Sequence, residues 1–205
     1  MLREIGQIHF NQGRHAAARP YIERAVEQAG SVGDVRARQF ARILLGEIQL
    51  AQDEPAAAEQ SFAQALTSFA DLGFPRGTAY ASLGLASAKL ALRLFGDAEH
   101  LLGEALATYR SVDERLGEAR VLFVWAELHR SRRRLDEAAT VLETVVAICQ
   151  GIPAPRRQGL ALRALGDVRR EAGDLAAAIG AWQKASTVLS GRYRAFMGKE
   201  AYLSA

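Results

Sequence analysis

The feature that most constrains this chain is a period. Ala18, Ala58, Ala98, Ala138 and Ala178 follow one another at intervals of 40 residues, without a single insertion. Other columns keep the same step. Gly6, Gly46, Ala86, Ala126 and Gly166 form one that is always small, and Ala25, Ala65, Ala105, Val145 and Ala185 another with a single valine. Ile22, Phe62, Leu102, Leu142 and Trp182 form a wholly apolar column, as do Ile5, Leu45, Leu85, Trp125 and Leu165. Five copies fill the 205 residues. A repeat of this length means a solenoid, in which each unit buries its apolar face by stacking on its neighbours.

Each copy reads as two amphipathic helices. Ala18, Ile22, Ala25, Val26 and Ala29 lie at the spacing of one helix face, and Ile5 with Ile8 begins such a face on the segment before. The turn within each copy is expected at Gln12–Arg14, Gln52–Glu54, Arg93–Leu94, Arg132–Arg134 and Gly173–Asp174, with Pro55 suited to a first helical turn. Between copies come Ser31–Asp34, Asp71–Pro75, Ser111–Glu114, Gly151–Pro155 and Ser190–Gly191. Ser111 and Glu114 have the spacing of a capping box. Small residues on facing helices let two backbones approach, and a leucine in those columns would overpack them.

Gly or Ala, then Ala twelve residues on, an apolar residue four further and a small residue three beyond resembles the tetratricopeptide repeat. The unit here is 40 residues where the standard repeat has about 34, which is similar to the lengthened repeats of large bacterial transcription activators and signal-transduction ATPases. The column usually held by tyrosine is His9, Gln49, Lys89, His129 and Arg169. The resemblance implies an all-α, right-handed α-solenoid of five helix-turn-helix repeats plus a C-terminal helix. The repeats are expected at about 1–33, 34–73, 74–113, 114–153 and 154–191, as one domain, with the terminal helix at 192–205 carrying Tyr193, Phe196, Met197, Tyr202 and Leu203.

Composition sets the function classes. No apolar run approaches the ~18 residues of a membrane span, and the N-terminus lacks a signal-peptide pattern. The single Cys149 has no partner for an internal disulfide, which fits a reducing, cytoplasmic setting. It falls in an apolar column with Tyr109 and Leu189, so it is expected to be buried and inert. His9, His15, His100 and His129 lack metal-ligand spacing, and no phosphate loop, HExxH or nucleophile elbow occurs. Glu99 and His100 are adjacent on a helix and point to different sides. The expectation is a chain that is not an enzyme and uses no cofactor or metal.

A binding surface remains. The resemblance places the first helix of each pair along the concave groove, and the face opposite the hairpin partner carries four columns. These are Arg3, Ile43, Leu83, Phe123 and Arg163; Gln7, Glu47, Ser87, Glu127 and Asp167; Phe10, Leu50, Leu90, Arg130 and Arg170; and Phe40, Tyr80, Arg120 and Leu160. Apolar groups dominate the middle copies and arginines the last two. Ile43, Leu83 and Phe123 are the expected anchor, with Arg120, Arg130, Arg163 and Arg170 selecting an acidic end. The alternative is that Phe40, Ile43, Leu83 and Leu90 pack between neighbouring first helices.

The expected partner is a protein or peptide segment mixing leucine-like residues with Asp or Glu. A small-molecule inducer contacting Gln7, Glu47, Ser87 and Glu127 is the second reading. Nucleic acid is the third, because residues 1–100 carry net −1 and residues 101–205 net +4. Against it, Asp136, Glu137, Glu143, Asp167 and Glu171 accompany the basic run, and no stacking aromatics interleave with the arginines. Neither end reads as a polar cap, which suggests a segment of a larger regulator, with self-association through the repeat ends as a side effect.

Overall fold

The computed structural model describes the backbone of residues 1–203 and the side chains of residues 1–190. Ten α-helices and no strand occur among the described residues. They pair as α1 (Leu2–Asn11) with α2 (His15–Ser31), α3 (Val35–Ala51) with α4 (Pro55–Asp71), α5 (Pro75–Ala91) with α6 (Phe95–Ser111), α7 (Arg115–Ser131) with α8 (Leu135–Gln150), and α9 (Pro155–Glu171) with α10 (Leu175–Leu203). None of these helices is long and apolar enough to cross a membrane.

The turns keep the period as strictly as the core. Within the repeats a left-handed residue recurs at Gly13 (φ 74°), Asp53 (62°), Arg93 (63°), Arg133 (60°) and Gly173 (88°). The next N–H in each case reaches the carbonyl five residues back, as in Arg14 to His9, Glu54 to Gln49 and Leu94 to Lys89, all at 2.9 Å. This is the Schellman closure of a helix C-terminus, which satisfies carbonyls that the helix leaves open. Between repeats the same conformation recurs at Gly33, Gly73 and Asp113. The fourth boundary puts Pro153 at that step, and a proline ring fixes φ near −65°. Accordingly α8 has 16 residues where α2 to α7 otherwise have 17.

Helix starts use the residues at hand. Pro55, Pro75 and Pro155 open α4, α5 and α9, where a missing N–H costs nothing. Asp34 and Asp174 accept from the N–H groups of Ala37 and Ala177 at 2.9 Å. The capping box expected at Ser111 and Glu114 does not form. Ser111 is the last residue of α6 and its hydroxyl donates to the Thr108 carbonyl at 2.8 Å, while α7 begins after Glu114 without a side-chain cap. Its hydroxyl serves the helix behind it.

A second expectation fails at the C-terminal end. α10 runs from Leu175 to Leu203 through Ser190 and Gly191, where a turn and a separate helix at 192–205 were expected. Serine and glycine do not bar helix. Glycine costs about 1 kcal/mol against alanine, and no proline enforces a stop. The side chains of Tyr193, Phe196, Met197, Tyr202 and Leu203 lie outside the described residues.

The chain divides into two compact units, Met1–Val112 and Asp113–Ala205. In the first, α1 to α6 pack each on the next, and α3 also touches α1 and α5. Its interior holds Ala18, Ile22, Leu44 and Ile48, then Ile43, Ala58, Phe62, Ala65, Phe69, Ala81, Leu85 and Ala88. In the second unit, α7 to α10 pack in the same sequential way around Ala126, Ala138, Leu142, Leu165, Val168 and Ala181. Contact confined to adjacent helices and adjacent repeats is the mark of a solenoid. Cys149 is buried, and desolvation pushes its thiol above the usual range, as expected for an inert core cysteine.

Candidate functional site

The first helices of the repeats carry the candidate surface, and each unit presents its own part. In the first unit the stripe on α3 is Phe40, Ile43, Glu47 and Leu50, and the stripe on α5 is Tyr80, Leu83, Ser87 and Leu90. Ile43 is closed into the interior at 0% exposure and Leu83 is buried at 4%, so these two hold neighbouring helices together and offer no surface to a ligand. Phe40 lies 5.1 Å from the ring of Phe69 and 6.2 Å from that of Phe74, within an aromatic group that joins α3, α4 and α5. The packing alternative therefore describes Phe40, Ile43 and Leu83. A sequence pattern marks all of them as apolar, yet only the contact of α3 with α5 decides that the stripe is covered.

The groups left on that face are more polar. The Tyr80 hydroxyl donates to Glu47 Oε1 at 3.1 Å, a bond that bridges α5 and α3. Leu50 is half-buried against the apolar cluster, and Leu90 is half-buried as well. The Ser87 hydroxyl donates to the Leu83 carbonyl one turn back at 3.0 Å. On α1, Gln7 donates to Asn11 at 3.2 Å in an exposed pair. This arrangement offers acceptors and a hydroxyl beside partly covered leucines.

In the second unit the arginines expected to select acidic ligands divide. Arg130 is engaged: its Nη2 and Nε donate to the same Glu171 oxygen at 2.5 and 3.1 Å, and Glu127 lies 3.6 Å away. Bonding to Glu171 raises the Arg130 guanidinium and, in return, holds the Glu171 carboxyl below its usual range. Glu127 moves the other way, because burial raises it more than Arg130 lowers it. Asp167 accepts from Trp182 Nε1 at 3.2 Å. Phe123 packs against the interior of this unit. Arg163 and Arg170 are exposed, and Arg120 is half-buried with partners of its own. Arg130 thus differs from the expectation, since a carboxylate 41 residues away already neutralises it.

Charged ties between repeats were not legible in the columns. Arg19 reaches Glu54 at 2.9 Å and Gln52 at 3.1 Å in the next repeat, and Lys89 meets Glu59 of the preceding repeat at 2.9 Å and Asp97 of its own at 3.4 Å. Their separations are not multiples of the period, so comparing equivalent positions passes over them. Among the described residues no group of three His, Cys, Asp or Glu side chains is placed to hold a metal ion.

Comparison with known proteins agrees with this architecture. The tetratricopeptide repeat profile matches residues 1–71 and again residues 83–153. No curated protein matches the chain. Among solved structures, BtubC (BKLC) from P. vanneervenii is similar at 22% identity and a TM-score of 0.70, over 94% of this chain and 80% of that one. A Rap protein solved in complex with competence and sporulation factor has 17% identity and a TM-score of 0.86, over 92% of this chain and 53% of that one. A kinesin light chain of Podosopora anserina with nearly identical TPR-like repeats has 16% identity and a TM-score of 0.65, over 94% and 95%. At these identities the likeness is one of fold. With the periodic columns, the paired helices and the two matched segments in agreement, the chain belongs to the tetratricopeptide repeat family.

Proposed function

We propose that this chain is a protein- or peptide-binding repeat module without catalytic activity, and that it serves as the interaction or sensor part of a larger bacterial regulator. The observation that carries this reading is the bond from Tyr80 to Glu47. It fixes a hydroxyl and a carboxylate across two first helices, on a face where Leu50 and Leu90 remain partly uncovered. A ligand segment would set apolar side chains over these leucines and a hydrogen-bond donor toward Glu47. The fold likeness to a Rap protein solved with a bound factor supports a receptor role. In the second unit, taken by itself, exposed Arg163 and Arg170 support a preference of α9 for acidic residues.

Selection of a random peptide library on the immobilised chain tests this. Selected peptides are expected to lose at least about tenfold in affinity with Glu47→Gln or Ser87→Arg, as for loss of a contact at the centre of an interface. Gln60→Arg, on the exposed side of α4, should leave affinity unchanged. Peptides indifferent to both inner-face variants, or equally sensitive to Gln60→Arg, would refute the reading.

A further inference from the structure

α3 carries two arginines on a different stripe, Arg38 and Arg42, one helical turn apart and both half-buried. Arg42 Nη1 donates to the Gln39 side-chain oxygen at 3.1 Å. Arg38 Nε is enclosed and meets no hydrogen-bond acceptor. The Arg38 guanidinium lies over Gly30 of α2, so that a β-carbon on that glycine would stand 3.4 Å from Nε. Neither arginine forms an ion pair among the described residues, and no carboxylate contributes to the charge environment of Arg42. Like charges one turn apart repel. Burial and the charge of Arg38 both push the Arg42 guanidinium down from its ordinary range, with no carboxylate acting against them. Two partly desolvated cations are thus held side by side without an internal counter-ion.

The repeat shows where they lie. One step of the period after another puts Thr78 and Ser82, Glu118 and Leu122, and Gln158 and Leu162 at the same two positions, so the cationic pair is particular to α3. Gln158 and Leu162 line a groove of about 710 Å³ over α9, whose walls include Val146 and Gln150 of α8 and Gln183 and Thr187 of α10. Carried back by three periods, the same positions lie on α3, which packs between α2 and α4. There Arg42 stands where α9 has a leucine, and Gly30 stands where α8 has Gln150, so that the Arg38 side chain lies over the glycine.

We propose that Arg38 and Arg42 form a binding site for a phosphoryl dianion, free or as an ester on a partner's side chain, on the side of α3 that lies beside Gly30 of α2. Charge decides for phosphoryl over carboxylate. A phosphoryl group carries about −1.5 to −2 near neutral pH and offsets both cations, where a carboxylate offsets one. Its oxygens also suit the planar forks of two guanidinium groups, and charge-assisted bonds of this kind are the strong ones. This site is separate from the face of α3 that carries Glu47, so either assignment can fail without the other.

The test is calorimetric titration of the full chain, at constant ionic strength, with inorganic phosphate and with a phosphoserine tetrapeptide, the unphosphorylated tetrapeptide serving as reference. Saturable binding of at least one phosphoryl ligand is expected. It should weaken at least about tenfold in Arg42→Leu and in Arg38→Gln, each of which loses charge-assisted bonds. These variants install the residues that the last repeat carries at the same positions, and melting curves establish that they fold. Arg42→Lys keeps the charge and loses the fork, and should weaken binding by less. Phosphopeptide binding at least about tenfold tighter than phosphate assigns the site to an ester, and any smaller difference assigns it to the free anion. No saturable binding of either ligand by the wild type, or binding unchanged in the Arg38→Gln/Arg42→Leu double variant, would overturn the proposal.

Discussion

A β-carbon placed on Gly46 would lie 2.7 Å from Cζ of Phe62, so it is the glycine that lets α3 and α4 close on that ring. Gly6 faces Ile22 and Gly166 faces Trp182 in the same way. Where the second helix carries leucine, as at Leu102 and Leu142, the first carries Ala86 and Ala126, all four essentially buried. From the second repeat to the fifth the two columns are therefore matched in size, glycine standing against the aromatic rings and alanine against leucine.

Size matching makes the pair energetically coupled. Gly46→Ala should destabilise by about 1–3 kcal/mol through overpacking, despite the ~1 kcal/mol by which alanine favours helix. Phe62→Leu should cost about 1–3 kcal/mol through the space it leaves. Together they install the pair of the third repeat, and the double variant should recover at least ~1 kcal/mol of the summed loss. A denaturant double-mutant cycle measures this. Additivity within ~0.5 kcal/mol would contradict the pairing.

The alanine columns set a harsher limit. Ala98 and Ala138 are both at 0% exposure, so Ala98→Arg or Ala138→Arg buries an unpaired guanidinium in a contact held open by a methyl group. Loss of more than ~4 kcal/mol, or of folding, is expected from chemical denaturation. Arg132→Ala, in the turn before α8, is the control and should change stability by less than ~0.5 kcal/mol.

Much of this was legible because a period repeats each physical constraint five times. The alanine of the second helix and the glycine or alanine of the first recur wherever backbones approach, so the helix pairs and their turns could be placed by counting. The Ser111 cap and the break at Ser190–Gly191 differ from the sequence pattern for local reasons: the Ser111 hydroxyl turns back to the Thr108 carbonyl of α6, and Ser190–Gly191 do not exclude the helix that α10 continues there. The candidate site was less legible. Ile43 and Leu83 look like anchors as long as α5 is not packed on α3, and Arg130 looks available until Glu171, one repeat on, is brought beside it.

Left-handed turn residues offer a stabilising change. Arg93 holds φ at 63°, a region that costs a side-chain-bearing residue roughly 1–2 kcal/mol, and its counterparts Gly13 and Gly173 avoid that cost. Arg93→Gly should raise stability by about 0.5–1 kcal/mol, the remainder being offset by the greater freedom of glycine in the unfolded chain. Gly173→Ala should lower it by a similar amount. Thermal unfolding in which Arg93→Gly melts below the wild type would contradict the turn geometry.

The carboxylates around Arg130 should respond to pH in opposite senses. Glu171 is held low by Arg130, so its contribution is present above the unfolded carboxylate range and fades as pH falls through its own depressed value. Glu127 is raised by burial, so the folded state binds its proton more tightly and stability falls as pH rises through that range. Glu171→Gln is therefore expected to be less stable than wild type at pH 7 and to converge with it in acid. Glu127→Gln is expected to gain on the wild type between pH 4 and pH 7. Denaturant midpoints check both, for Glu127 across that interval and for Glu171 at pH values below the ordinary carboxylate range, and slopes of the same sign in the two windows would be inconsistent with the cluster.

The central claim is that the face of α3 and α5 around Tyr80 and Glu47 receives a protein segment. Site-specific photocrosslinking in native cells tests it most directly, with a photoreactive phenylalanine analogue at Ser87 on that face or at Gln60 on the exposed side of α4. A protein adduct that survives nuclease is expected from position 87 and not from position 60. Adducts from position 60 alone, adducts that nuclease removes, or no adduct from position 87 would contradict the account.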